Sequence, residues 1–350
     1  LAQGAHILIN YSGLGGIAVE DGGYSTLMRV VHQTVKSADL LSDYHYEGKV
    51  VQVQADSGGP SYYVKAPVVP QAGGFGSVRW EETARVAMPP ATFPFLIGTM
   101  GVTGTFYLAD SPAAMRLLLP ELQGVLPDLD VRHVGDAETS PLPHWWGRPV
   151  SYLGTFQDRL VVGSGAVVAM SETSSYFNFF RKSSLTVTDT DPVEVYALGA
   201  EDDTIRHSVI FDKSLLLFGD KQQYSIDGRN PVTPSTSTII QSSAIEDATD
   251  CPPVAGGSLV FFGKRREGSA EIFQMEVGDV ADTSNFTGLG LQLSDYLPGR
   301  PSQLLYVASP STLFVRVSEA PHSIFVFRFI DQNRQRVMDS WSRFDYHPAF

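Results

Sequence analysis

A set of apolar hairpins that returns at long intervals constrains this 350-residue chain more than any other feature. Strand-like segments begin at Leu160 ("LVVG"), Leu215 ("LLLFG"), Leu259 ("LVFFG") and Leu313 ("LFVRV"), at intervals of 55, 44 and 54 residues. Each is followed, after a short turn, by a second strand: "AVVAMSE", "QQYSID", "EIFQMEV" and "SIFVFRF". Short apolar runs bounded by turn residues are the pattern of strands buried on both faces. Such a hairpin cannot hide both faces alone, so neighbouring sheets must stack against it. Propeller blades recur as four-stranded sheets every ~40 to 50 residues. The expected fold is therefore mainly β with a small α/β part, a β-propeller-like repeat of hairpins. A β-sandwich is the alternative; it predicts hairpins but not one similar hairpin at this interval.

The chain before the repeat is patterned differently. "PLPHWWGRP", starting at Pro141, packs prolines, tryptophans and a glycine into nine residues and marks a boundary. Residues 1–140 are expected to form a mixed α/β region that continues from further upstream. Residues 141–350 are expected to form the propeller-like β domain, incomplete at its C-terminal end. In the first part, Ala5–Val19 reads as a hairpin, and Thr26–Leu41 carries an apolar stripe that fits a helix or, in its first half, a strand. Val50–Gln54 and Tyr62–Ala66 read as strands around the turn "DSGGP", Ser77–Glu82 as a strand, and Met88–Pro94 as an extended linker. Thr105–Ala109 reads as a strand, Asp110 or Ser111 as the cap of a helix with Pro112 in its first turn, and Val131–Val134 as the next strand. This β-α-β piece has no Gly-rich turn to cradle phosphate, so a packing role is the better reading.

Composition excludes several functions. The 25 Lys+Arg against 38 Asp+Glu leave a net charge of −13, opposite to the basic excess that phosphate binding demands. Cys251 is the one cysteine, so neither an intrachain disulfide nor a paired-Cys zinc site can form. No apolar run approaches the ~20 residues of a membrane helix. The start has no signal-peptide pattern, and both ends read as cuts within a longer chain.

Candidate chemistry is sparse. His6, His32, His45, His133, His144, His207, His322 and His347 share no metal-binding spacing. Ser164 lies directly between Gly163 and Gly165, whereas a nucleophile elbow sets its glycines two residues away. Asp189 and Asp191, the "EDD" at Glu201 and the "EDATD" at Glu246 could pair carboxylates for glycoside hydrolysis or calcium, but Asp- and Thr-rich loops are more often solvated turns. No catalytic, cofactor-binding or metal residue is assigned. Lys264, Arg265 and Arg266, in the hairpin tip "GKRREG", are candidate contacts for DNA phosphate or an acidic partner, though a charged turn that keeps a sheet edge soluble is the commoner use; "RKSS" at Arg181 is a second basic cluster. Trp145 and Trp146, with Tyr176, Phe177, Phe179 and Phe180 of "SSYFNFF", are candidate subunit contacts.

The stretch from Arg159 to Ile226 carries a resemblance. "DRLVVGSGAVVAMSETSSYFNFF", "TVTDTDPVEV" and "IRHSVIFDKSLLLFGDKQQYSI" follow one another as in the tail tubular protein B family of autographivirus-type phages. "SYYVKA", "VRWEET", "SDYLPGRPSQL" and "DSWSRFDY" resemble further pieces of that family. The chain departs from it where Pro89 and Pro90 follow Met88, and at Ala166 and Val167. The resemblance implies a structural protein of the virion tail that is not an enzyme. It implies a ring, six-fold, below the adaptor ring of tail tubular protein A, with tail fibers attached near the junction. Double-stranded DNA would pass through the lumen without sequence-specific contact. A glycan-binding or glycan-cleaving propeller is the alternative.

Overall fold

The computed structural model describes residues 33–57, 61–69, 74–85, 96–99, 105–197, 199, 202–277, 284–290, 295–332 and 335–346. The chain divides into two compact units, Leu1–Leu142 with Phe180–Val187, and Pro143–Phe179 with Thr188–Phe350.

The first unit holds short strands β1 (Thr34–Val35), β2 (Tyr44–Tyr46), β3 (Val50–Val53), β4 (Tyr62–Lys65), β5 (Phe75–Ser77), β6 (Glu81–Thr83), β7 (Leu96–Thr99) and β8 (Phe106–Ala109), then helix α1 (Pro112–Leu118). One sheet runs β1-β3-β4-β6, with β1 parallel to β3; β2 pairs with β5, and β7 with β8. Val35, Leu41, Val51, Val53 and Val64 form its core, with Tyr62 and Trp80 against it. Ser111 caps α1 by accepting from the Ala114 amide at 3.2 Å, and Pro112 fills the first turn, where no amide is needed. Met115 and Leu119 of this segment pack with Ala109 and Tyr107. A Cβ on Gly98 would come within 2.9 Å of Leu119 and Met115, so the glycine lets the helix sit directly on the hairpin.

Three expectations for this unit need correction. Val131–Val134 is not a strand: an isolated bridge follows it, Ala84 to Gly135, and β8 pairs antiparallel with the preceding β7. The element is thus a hairpin covered by a helix, not β-α-β. "SVRWEE" is broken at Val78–Trp80, because the Val78 amide donates to Asp43 and the Trp80 indole to Ser42 as the chain leaves one sheet for another. The described end of Thr26–Leu41 is β1 followed by a 3-10 turn at Ala38–Leu40. Ala5–Val19, residues 26–32, the Gly58–Pro60 part of "DSGGP" and Met88–Pro94 lie outside the described residues.

In the second unit the described residues form four antiparallel sheets, each of four strands consecutive in the chain. They comprise β9 (Tyr152–Phe156), β10 (Arg159–Ser164), β11 (Val167–Met170) and β12 (Val193–Tyr196); then β13 (Ile205–Phe211), β14 (Ser214–Gly219), β15 (Gln223–Ile226) and β16 (Ile239–Ser243). The third has β17 (Val254–Gly256), β18 (Leu259–Arg266), β19 (Ser269–Val277) and β20 (Ser284–Leu289); the fourth has β21 (Pro301–Ala308), β22 (Ser311–Val317), β23 (Ser323–Gln332) and β24 (Gln335–Asp345). The mainly β fold with repeated hairpins is thereby observed.

Strand alternation explains why the apolar runs are continuous. On β14, Leu215 and Leu217 face a core shared with Val161, Val168 and Met170 of the first sheet. The intervening Leu216 and Phe218 face a core shared with Val260, Phe262 and Met275 of the third. On β18, Leu259 and Phe261 then face Leu313, Val315, Phe325 and Phe327 of the fourth. Successive side chains point to opposite faces, so a strand sandwiched between two sheets must be apolar at every position. Full burial of such a side chain contributes about 1.5–3 kcal/mol. Two-residue turns close the hairpins, with Gln157 and Asp158 and then Asp212 and Lys213 at positive φ, the geometry that matches strand twist.

Candidate functional site

The β18–β19 hairpin carries the basic tip. Its register pairs Lys264 with Glu271, Arg265 with Ala270 and Arg266 with Ser269, and Glu267 and Gly268 make the turn at φ 44° and 94°. Glu271 is drawn toward both flanking cations: Arg266 Nη1 lies 3.5 Å and Lys264 Nζ 4.0 Å from its carboxylate. Lys264 also stands 5.6 Å from the Phe273 ring centroid. Arg265 and Arg266 are exposed. The three cations therefore share a tip with Glu267 and Glu271, which offset part of their charge.

The aromatic candidates occupy a different place. Trp145 is buried with Val162 and Ala169 on the outer face of the first sheet, and Trp146, Leu160 and Phe179 pack around it. The Trp145 and Phe179 rings meet edge to face at 5.2 Å, a favoured aromatic geometry. Phe180 is buried and Phe177 half-buried, while Tyr176 is exposed and donates to Asp158 at 2.6 Å. Beside this cover, Tyr196 donates to Glu194 at 2.6 Å; burial and that carboxylate push its pKa up to about 12. Arg148 reaches back to the His144 carbonyl at 3.0 Å.

Sequence reasoning missed the role of Arg159. Its side chain is 1% exposed and its guanidinium donates to four carbonyls: Ser171 (2.8 Å), Asp191 (2.7 Å), Asp189 (2.8 Å) and Val232 (3.2 Å). Arg159 thus ties the β11–β12 loop to the loop after β15. Burial lowers its pKa from the usual arginine value, and Glu172 and Asp191 oppose that shift. A cue was available in the arginine opening an otherwise apolar strand, but nothing in spacing says which carbonyls it meets.

Three carboxylates are likewise held by hydrogen bonds. Asp191 is buried and accepts from the Thr188 amide at 2.8 Å. Asp203 is buried and accepts from the amides of Thr204, Lys221 and Gln222 and from the Tyr224 hydroxyl at 2.7 Å. Asp220 takes two bonds from Arg206 and one from Thr249, and Arg206 leads in lowering its pKa. Ser164 Oγ donates to the Pro149 carbonyl at 3.0 Å. Among the described residues no group of three or more His, Cys, Asp or Glu is placed to hold a metal ion, and no helix is long and apolar enough to cross a membrane.

The profile described as "Bacteriophage nozzle protein" matches residues 3–349. The chain belongs to the bacteriophage nozzle protein family. Among relatives, the tail tubular protein gp12 of Escherichia phage T7 is 24% identical over 213 residues, which are 61% of this chain and 27% of that protein. The matched part thus spans about a quarter of the relative. Members of the nozzle family are structural proteins of the phage tail, and this chain is accordingly a structural protein of a virion tail. Solved structures give only faint likenesses: the N-terminal domain of Nup159 (TM-score 0.32, 12% identity, 68% of this chain and 56% of that one) and Kluyveromyces lactis Hsv2p (TM-score 0.29, 10% identity, 87% and 98%). Those scores are too low to bear on fold or function.

Proposed function

We propose that this chain forms part of the wall of the tail nozzle, a ring below the adaptor through which double-stranded DNA leaves the virion. The observation that carries the reading is the family match over nearly the whole chain. The stacked sheets, with every intersheet space filled by aliphatic and aromatic side chains, suit a wall that must keep its shape while a stiff polymer passes. The net charge of −13 suits passage without sticking, since a basic channel would bind the phosphates and slow them. Copies of the chain form the ring, six-fold; the partners are tail tubular protein A in the adaptor ring, the tail fibers and the passing DNA. The exposed Tyr176, at the edge of the aromatic cover, is the member of that cluster best placed to meet a neighbouring subunit. The protein is read as non-enzymatic, in keeping with a structural family, and Asp191 and Asp203 are held by backbone amides. Mixing the full-length protein with purified adaptor rings tests the assembly: a ring-on-ring complex in sedimentation and electron microscopy is expected. A protein that remains monomeric beside the adaptor would contradict it.

A further inference from the structure

The turn at residues 143–148 lays Trp145 and Trp146 over the outer face of the first sheet. Its backbone closes on itself: the Trp146 amide donates to the Pro143 carbonyl at 2.9 Å, and the Arg148 amide to the Trp145 carbonyl at 3.1 Å. Arg148 then reaches back across the turn, with Nη1 2.7 Å from His144 Nδ1 and 3.0 Å from the His144 carbonyl. A guanidinium only donates, so Nδ1 must accept, and the ring is neutral with its proton on Nε2. Two contacts fasten His144 to β12. Its amide donates to Glu194 at 3.4 Å, and its ring meets Tyr196 edge to face at 5.8 Å.

We propose that this turn is a proton-released latch: it stays shut while His144 is neutral, and a proton on the ring opens it and uncovers the outer face of the first sheet. A proton on Nδ1 converts the acceptor into a donor aimed at a guanidinium, replacing a hydrogen bond by a like-charge contact. The charged and titratable groups that face the ring are Arg148 of the turn itself and Glu194 and Tyr196 of β12. From β10 and β11, Leu160, Val162 and Ala169 pack under the tryptophans. Glu194 opposes release, but its Oε1 already takes the Tyr196 hydroxyl at 2.6 Å. Burial and Arg148 hold the His144 pKa below the ordinary 6.5, against Glu194. A lowered folded-state value means that the closed turn is favoured above the ordinary one and loses that support as the pH falls through the lowered one. The shut cover also leaves the Trp145 indole nitrogen buried without an acceptor, and opening gives that N–H to water.

The latch belongs to the single chain and does not depend on assembly into a ring, so the test uses the full chain in solution. Acrylamide quenching of tryptophan fluorescence is followed from about pH 8 to about pH 5, the span in which histidine titrates. Quenching should rise in one step with its midpoint below 6.5, since Trp145 and Trp146 are two of the 4 tryptophans. His144→Asn keeps an acceptor oxygen near the place of Nδ1 but takes up no proton, so its profile should be flat. Arg148→Met changes an exposed side chain and decides the matter if the histidine variant does not fold. It should show, already at about pH 8, the quenching that the unaltered chain reaches only at about pH 5. A flat profile in the unaltered chain, a step that persists in folded His144→Asn, or unaltered quenching in Arg148→Met would each overturn the latch.

Discussion

Arg159 shows how much of this fold depends on single polar groups placed among apolar ones. Four carbonyls from two loops point at one buried guanidinium. Arg159→Met would leave those acceptors buried without donors, and should destabilise the protein by on the order of 3 kcal/mol or more, read from chemical denaturation. Arg159→Lys should recover little, because an ammonium cannot reproduce the planar fork. Tyrosines respond to pH in a definite direction. Tyr152 and Tyr224 are raised chiefly by burial, and Tyr196 by burial and Glu194 to about 12, against an ordinary value of 10.0. A folded-state pKa above the unfolded one means these groups favour folding fully below pH 10 and withdraw that support as the pH climbs toward 12. Thermal midpoints should therefore fall across this alkaline range, with tyrosinate absorbance rising in step; a flat profile would remove the argument. The roles of Arg159, Asp191 and Asp203 were not legible in the sequence, because hydrogen bonds to carbonyls and amides of distant loops leave no spacing signature.

Among the elements, what could be read in advance was the middle of each sheet. The second strands of the second and third sheets are buried on both faces, so they appear as the unbroken apolar runs Leu215–Phe218 and Leu259–Phe262. The first and last strands are mixed, as in β13 and β21, where buried and exposed residues follow no clean alternation, and the sequence reading passed over them. Val131–Val134 misled for a related reason: Val134 is buried, yet its backbone has no ladder to join. The aromatic segments were legible as packing material but not as to what they pack on, since a sheet face and a subunit face ask for the same side chains. The hairpin tip is the element to test for DNA contact. Neutralising Lys264, Arg265 and Arg266 together should lower the log–log salt slope of any duplex binding by ~3 at most, since Glu267 and Glu271 already offset part of that charge. Nanomolar duplex binding by the unaltered chain at physiological salt would instead reveal a gripping site and contradict a passive conduit.

Across the whole chain, family membership makes this a structural piece of a phage tail, and the net charge of −13 agrees with the proposal that nucleic acid passes it without sticking. The resemblance carried by Arg159–Ile226 was readable because it falls on the strands, turns and buried polar groups that build the first two stacked sheets. Which surface faces a lumen, an adaptor or a fiber is a property of the assembly, and a single chain encodes it only through side chains that also pack its own sheets. The measurement that bears most directly on the nozzle reading is negative-stain imaging of intact virions labelled with an antibody raised against this chain. Label confined to the short tail, below the level of the adaptor, is the predicted result. Label over the capsid shell, or none on virions that contain the protein in accessible form, would contradict the account.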